Sequence, residues 1–466
     1  MAQELYKNLN GLRICVAGAG VTGLAVARSL TKRGVEVTLI DENKGSTEEF
    51  PVVHPDSITI TNFDRLLISP GWRDNHPVIQ AARAAKVPLI NEVDYAWSVK
   101  KPAQKWISLT GTNGKTSTVE LTAAMLQAGG VSAIACGNVG TTVIESVESL
   151  EDYQVLVLEL SSFQLHWMED ASFIAAAILN IAQDHIDWHG SFEVYAATKG
   201  KIYQNTLAAA VYNLRDARTQ ELLENADVVE GCRAIGFSVG VPGPSDIGYS
   251  EDILCDRAFL DNRYHEALEV ATFEDIAEIG VVTPHLLANV AAATALARAC
   301  GAEPADIRSA IRSFKLDKHR IELVAVHNGI SWIDDSKATN PHATNASLES
   351  FEHVVWIVGG LLKGVDIAPL VQSHASRLRG AVVIGAERQV VLDALAAHAI
   401  DVPVIEISGE DNSQVMTQAV LAASNLAAEG DTVLLAPSSA SMDQFKDYAD
   451  RGNQFATAVH TLIGEN

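Results

Sequence analysis

Thr110-Gly111-Thr112-Asn113-Gly114-Lys115-Thr116 lies between a short apolar run, Trp106-Ile107-Ser108-Leu109, and a segment from 115 to 127 whose apolar residues recur at helical spacing. The pattern predicts a strand, a glycine-rich turn and a helix. Such a turn leaves backbone N–H groups unpaired at the helix start, where the dipole also favours anions. Gly111, Thr112, Asn113 and Gly114 would supply that cradle. Lys115 adds a cation for outer phosphates, the Thr116 hydroxyl is a hard ligand for magnesium, and Ser117 continues the first turn. Leu109 stands where the general phosphate-loop pattern has its first glycine, so Gly111 and Gly114 must make the turn. A helix start with a chance Gly-Lys-Thr is the plainer alternative, and the surrounding sequence favours an ATP site.

Upstream, Leu12-Arg13-Ile14-Cys15-Val16-Ala17 predicts a strand that meets Gly18-Ala19-Gly20-Val21-Thr22-Gly23. An Ala-rich helix to about Arg33 and a second strand, 35–40, ending at Asp41 complete a dinucleotide-binding fingerprint. Taken alone that fingerprint indicates an oxidoreductase, with Asp41 accepting a ribose hydroxyl, although the glycines guarantee only a close approach to some phosphate. A strand-then-turn at 66–71, a helix at 78–86 and a strand at 87–90 extend a parallel unit, and Lys100-Lys101-Pro102 reads as a linker.

Downstream, strands are expected at 131–136, 153–160 and 175–180, the second closing on Glu159 and the third leading to Asp184-His185. Carboxylate and imidazole at the ends of neighbouring parallel strands lie on the edge where open sheets bind ligands. The Gly/Pro/Asp-rich 239–263 segment reads as loops with a minor sheet, followed by helices at 284–300 and 305–314. Six more strands between 322 and 435, most separated by helices, predict a third, mostly parallel sheet. The expectation is an α/β chain of three domains: Rossmann-like at 1–100, a phosphate-loop domain at 101–316, and a second Rossmann-like domain at 317–466.

The whole chain supports that size. It has 466 residues, 48% of them apolar, and a formal charge of −24 that would repel nucleic acid and anionic membranes. An anionic ligand must therefore be caught by local cations and helix starts. Five scattered cysteines show no metal-ligand spacing, and no signal peptide or bilayer-length apolar run is present. A cytoplasmic monomer is expected.

Few protein classes place both a Rossmann-like turn and a phosphate loop in one chain. Over essentially its whole length the sequence resembles the Mur ligases of bacterial cell-wall synthesis. The matching pieces are the 110–116 loop, Glu159-Leu160-Ser161-Ser162-Phe163-Gln164-Leu165, Asp184-His185, Lys199, His319-Arg320 and Asp335-Ser336-Lys337-Ala338-Thr339-Asn340. The 438–446 segment and Arg451-Gly452-Asn453 extend the match. Within the family, the 18–23 turn and the 335–340 block look most like members that add D-glutamate to UDP-N-acetylmuramoyl-L-alanine. An Asp-Asn-Pro-Arg motif, which marks the ligases adding the third amino acid, is absent.

The resemblance implies ATP-driven amide formation through an acyl phosphate, with ADP and phosphate released. It implies two magnesium sites: Thr116 and Glu159 at one, and His185 with a CO₂-carbamylated Lys199 at the other, beside Lys115. From residue type alone, His185 is equally a packed strand-end histidine, and Lys199 on its polar 192–205 helix reads as an exposed lysine. The resemblance gives ATP contacts to Asn289, Arg320 and Asp335. It gives D-glutamate contacts to Lys337, Thr339, Lys363, Ser441, Met442 and Tyr448, the last standing where the family commonly shows Phe. The first domain would then bind uridine diphosphate rather than NAD. Val21, Thr22, Ser69 and Gly71 would lie against uracil and pyrophosphate, Asp41, Glu42 and Asn43 near the base, and Asn138 and His185 toward the sugar end. Another stem-peptide ligase, a folate polyglutamate synthetase, and a nucleotide-sugar oxidoreductase or non-catalytic nucleotide sensor are the alternatives.

Overall fold

A computed structural model of the chain describes Tyr6, residues 8–408 and residues 412–464. Three sheets carry the architecture. The first is entirely parallel, in spatial order Val52–Val53, Glu36–Ile40, Arg13–Ala17, Arg65–Ile68 and Leu89–Asn91. The second has nine strands. From one edge these are Leu268–Thr272, Ile253–Asp256, Asp246–Ser250, Arg233–Phe237, Ala209–Asn213, Ala175–Ile178, Lys105–Thr110, Val155–Glu159 and Ala133–Gly137. Its first two pairings are antiparallel and the rest parallel. The third runs Glu322–His327, Ile330–Asp334, Thr432–Leu435, Val354–Gly359, Leu378–Ile384 and Val404–Glu406, antiparallel only at its first pair.

Strands buried on both faces explain the continuous apolar runs that marked them, such as Val155–Glu159 and Val354–Gly359, buried at every position. The chain divides into two compact units: residues up to Asp275 with Ala288–Arg312, and Ile276–Leu287 with Ser313 onward. The first two sheets thus share one unit, and a single apolar cluster joins Ile14, Val16 and Leu30 to Trp106, Leu156 and Leu158. In the second unit, separate clusters cover the two faces of the third sheet, around Trp356 and Leu434 on one side and Val355 and Phe455 on the other.

Polar contacts stitch the same junction in the first unit. Ser29 Oγ bonds Tyr95 Oη at 2.7 Å and donates to Glu148 at 2.5 Å, and Arg33 pairs with Glu148. Glu92, only 3% exposed, accepts the Ile144 N–H at 3.1 Å. Burial pushes the Glu92 carboxyl up to about 7, against hydrogen bonds from Ile144 and Val143 and with Glu145 adding to the rise. Its charged form is therefore disfavoured on folding. The penalty is absent below the unfolded carboxyl value of about 4.3 and complete once pH exceeds the folded value. Glu92→Gln keeps an acceptor and carries no charge. It is expected to raise Tm by about 2–4 °C at pH 8 and by almost nothing at pH 4; an equal shift at both, measured by thermal denaturation, would contradict this.

Candidate active site

Leu109 pairs in register with Glu159, and Gly137 pairs with Glu159 from the other side, so the glycine-rich loop leaves its strand level with that carboxylate. The loop turns through Gly114, at φ 82°, where a Cβ would stand 2.6 Å from Asn289 Oδ1. Both the left-handed backbone and the close amide demand glycine. The helix Lys115–Ala128 then begins without a side-chain cap, leaving its first N–H groups to a ligand. Asn180 fixes the loop by accepting the Asn113 N–H at 2.9 Å and donating to the Asn113 carbonyl at 3.1 Å. Tyr195 Oη meets Thr112 Oγ1 at 3.0 Å, and Lys115 Nζ donates to the Gly111 and Thr112 carbonyls, both at 2.9 Å. Thr116 and the buried Ser117 stand in the first turn of that helix.

Glu159 is 1% exposed; Asn138 Nδ2 donates to its Oε1 at 2.7 Å, and its buried Oε2 has no hydrogen-bond partner. A buried carboxylate oxygen left in that state is costly. A hard cation at the mouth of the phosphate loop would satisfy it, so this donor set fits magnesium. Lys199 is 2% exposed, which corrects the exposed lysine expected from composition. Its helix, Phe192–Gly200, packs Tyr195, Ala196, Thr198 and Lys199 inward. Lys199 Nζ donates to Thr110 Oγ1 at 3.1 Å and the Gly111 carbonyl at 2.9 Å, and lies 5.0 Å from the Tyr195 ring centre. Burial, then the Lys115 charge, holds it well below the ordinary lysine range. His185 sits in a left-handed conformation, φ 52°, at the start of the one-turn helix Ile186–His189. Burial lowers its pKa, with Lys199 and Lys115 adding to the effect against the Asp184 carboxylate.

A cavity of about 440 Å³ is lined by Gly20, Val21, Thr22 and Gly23 at one end, and by Ser69, Pro70 and Gly71 beside them. Asn138, Thr142, Ser161, Phe163 and Gln164 contribute to the rest of its wall. The helix Val21–Lys32 starts there with no side-chain cap, a ready anion site. Val21, Thr22, Ser69, Gly71 and Asn138 all line this one cavity. The sequence by itself assigns no role to Thr142, Ser161 and Gln164. Their signal was present as two S/T-x-x-E/Q capping boxes, Thr142 with Glu145 and Ser161 with Gln164. Asp41, Glu42 and Asn43 are not among the lining residues. The Asp41 carboxylate instead accepts N–H groups of Ala19, Asn43 and Lys44 at 2.9–3.0 Å. Against the raising effect of burial, these bonds hold its pKa below the usual value. The acid of the fingerprint is occupied in shaping the glycine turn, which weakens the oxidoreductase alternative.

In the second unit, the carboxyl ends of the third sheet's strands gather the remaining residues. Asp335 is buried, accepts the Ile321 N–H at 3.3 Å and is bonded by Ser347. Burial raises its pKa to about 6, against those bonds. Arg320 keeps buried Nε and Nη2 atoms without partners, a donor set suited to phosphate. Lys337 Nζ donates to Tyr448 Oη at 3.0 Å and lies 4.6 Å from that ring's centre. The hydroxyl that distinguishes Tyr448 from Phe is therefore used inside the unit. Buried Arg451 donates to Ser336 and Ser439, bracing the two loops that carry Lys337 and Ser441. Ser441 is buried, Met442 and Thr339 are exposed, and exposed Lys363 follows Gly359-Gly360 with φ 56°.

Known protein families match three stretches of the chain: "Mur ligase MurD-like, N-terminal domain" at residues 12–91, "Mur ligase middle domain" at 109–297, and "Mur ligase, glutamate ligase domain" at 319–439. A Leifsonia xyli protein named UDP-N-acetylmuramoylalanine--D-glutamate ligase is 47% identical, the alignment covering 98% of this chain and 94% of the relative. A Streptomyces coelicolor protein of the same name is 45% identical, with 97% and 98% covered. Among solved structures, MurF from Acinetobacter baumannii aligns with TM-score 0.59 at 15% identity, covering 98% of this chain and 92% of that one. MurC from Thermotoga maritima aligns with TM-score 0.53 at 18% identity, covering 97% and 100%. These two bear on the fold alone.

Proposed function

The chain belongs to the Mur ligase family, and from that premise we propose that it joins D-glutamate to UDP-N-acetylmuramoyl-L-alanine in an ATP-driven step of peptidoglycan synthesis. One observation carries the reading beyond similarity. One cavity is lined both by the start of an uncapped helix suited to a pyrophosphate and by Asn138, whose side chain also holds Glu159 beside the phosphate loop.

The reaction takes place among anions, so neutralising charge should dominate its barrier. The L-alanyl carboxylate attacks the γ-phosphorus; an O–P bond forms, the bond to the β,γ-bridging oxygen breaks, and ADP departs. The D-glutamate amine then attacks the acyl carbon, loses a proton, and the tetrahedral intermediate collapses with phosphate leaving. The 111–116 backbone and Lys115 would hold the triphosphate, and Asn289 packs against the loop at Gly114. Thr116, Glu159, His185 and a Lys199 carbamate would hold two magnesium ions, which when bound supply positive charge to the phosphates and the acyl oxygen. Arg320 and Asp335 serve ATP in this reading. Lys337, held by Tyr448, serves D-glutamate with Thr339, Lys363, Ser441 and Met442. Val21, Thr22, Ser69, Gly71 and Asn138 bind the UDP-sugar, with Asp41, Glu42 and Asn43 toward its base. The protein acts as a cytoplasmic monomer on small molecules; among the described residues no helix is long and apolar enough to cross a membrane.

The test is phosphate release from ATP with UDP-N-acetylmuramoyl-L-alanine and each amino acid in turn. Turnover is expected with D-glutamate and not with L-glutamate or meso-diaminopimelate. The reverse preference would point to another ligase of the same chemistry, and NAD reduction without ATP use would discard ligase activity altogether.

A further inference from the structure

The loop that brings Ser69, Pro70 and Gly71 to the cavity continues through Trp72-Arg73-Asp74, and there it grips the segment carrying His185. Arg73 Nη1 donates to the Asp187 carbonyl at 3.1 Å and Nη2 to the Asp187 carboxylate at 2.8 Å. Trp188 Nε1 reaches back to the Gly71 carbonyl at 3.4 Å, and Asp74 bonds His166 at 2.6 Å. Phe163, itself in the cavity wall, closes the circuit: its ring centre is 4.8 Å from His185 and 4.9 Å from Trp188. On the inner side His189, at the end of the same one-turn helix, meets Ser162 at 3.0 Å. His185 holds a backbone conformation that non-glycine residues keep only where their surroundings impose it.

We propose that Arg73 and Trp188 are positioning residues that couple filling of the cavity to the placement of His185. The proposal rests on the cavity being the UDP-substrate site. A ligand that fixes Gly71 and Phe163 bears on Trp188 from two directions, and Trp188 and Arg73 together fix the Ile186–His189 turn from outside. Coupling of this kind is reciprocal: whatever loosens the turn weakens the ligand, and the ligand orders the turn. The Arg73–Asp187 pair is largely solvent-exposed, with side-chain exposures of 48% and 76%, so its loss should leave folding intact. That separates a coupling role from a structural one.

The experiment uses the full chain and UDP-N-acetylmuramoyl-L-alanine, following binding by calorimetry and by tryptophan emission. In the wild type, binding is expected to change the emission, and Trp188→Phe, which keeps a ring against Phe163 but loses the bond to Gly71, should bind the ligand more weakly with most of that change gone. Arg73→Ala should weaken the UDP-substrate about tenfold and shrink the emission response, while affinity for a non-hydrolysable ATP analogue stays within about twofold. Arg73→Lys should recover part of the loss, since an ammonium cannot reproduce the guanidinium fork. Unchanged UDP-substrate affinity in Arg73→Ala would overturn the proposal. So would equal weakening of both nucleotides, or a fall of several degrees in Tm, because either marks a purely structural part. Error in the site itself has its own signature: Thr22→Phe, which fills the cavity, would then leave calorimetric binding of the UDP-substrate intact.

Discussion

Lys199→Ala is expected to lower kcat by about a thousandfold, with formate or acetate at tens of millimolar restoring at least tenfold of the loss. The reason begins with burial. A lysine 2% exposed, bonded to a hydroxyl and a carbonyl and within reach of the Lys115 charge, is a poor place for an ammonium. Burial and the Lys115 charge lower its pKa well below the usual lysine range, which favours the neutral amine that attacks CO₂. In the proposed function the N–C bond would form, a proton would leave, and a carbamate would stand at the mouth of the phosphate loop. Removing the side chain takes away that anion and opens a hole that a small carboxylate can enter. Lys199→Arg fills the hole with a guanidinium and should not be rescued. Full activity in the Ala variant would sink the carbamate, as would equal stimulation of the wild type by the same salts.

Much of this arrangement was legible in the sequence because it depends on local chemistry. The phosphate loop announces itself through glycines at fixed offsets between a strand and a helix, and the helix begins at Lys115 as expected. The strands at Arg13–Ala17, Val155–Glu159 and Val354–Gly359 were readable as apolar runs because sheets covered on both faces leave no polar alternation. Strands Ala209–Asn213 and Arg233–Phe237 lie outside the elements expected from sequence: the first lies in an apolar run, 207–212, whose alanines suit a helix as well, and the second opens on Arg and contains Gly236. The burial of Lys199 was equally invisible. Helix Phe192–Gly200 carries Glu193, Thr198 and Lys199, and only its docking against the Thr110–Gly111 turn, far away in the chain, takes the lysine out of water. Asp41 misleads in the opposite direction. Its spacing matches a ribose-binding acid, yet the backbone of Ala19, Asn43 and Lys44 occupies the carboxylate. Thr142 and Ser161 to Gln164, on the wall of the cavity, form two capping boxes in the sequence, but nothing in a capping box says what it will face.

Glu159→Gln should lower kcat by at least a thousandfold while making the ligand-free protein more stable, and the opposite signs are the point of the experiment. The substitution keeps the shape and keeps an oxygen for Asn138, which now donates to Oε1 at 2.7 Å. It removes a negative charge from a position 1% exposed, where Oε2 has no partner. With no metal ion bound, a buried carboxylate oxygen without a hydrogen-bond partner costs about 1–3 kcal/mol, which the Lys199 charge offsets only in part, so Tm of the variant should rise by a few degrees. With magnesium and a non-hydrolysable ATP analogue the order should reverse. The wild type gains the binding free energy of the ion and nucleotide, roughly RT ln(1 + [L]/Kd), whereas the amide is a much poorer ligand for a hard cation. Differential scanning fluorimetry with and without the pair gives the crossing directly, and steady-state phosphate release gives kcat. A stabilised variant with near-normal turnover would mean that Glu159 is a structural acid and that the charge on the phosphates is met elsewhere. A destabilised ligand-free variant would mean that the buried carboxylate is already satisfied, which removes the strongest structural reason for seating a metal there.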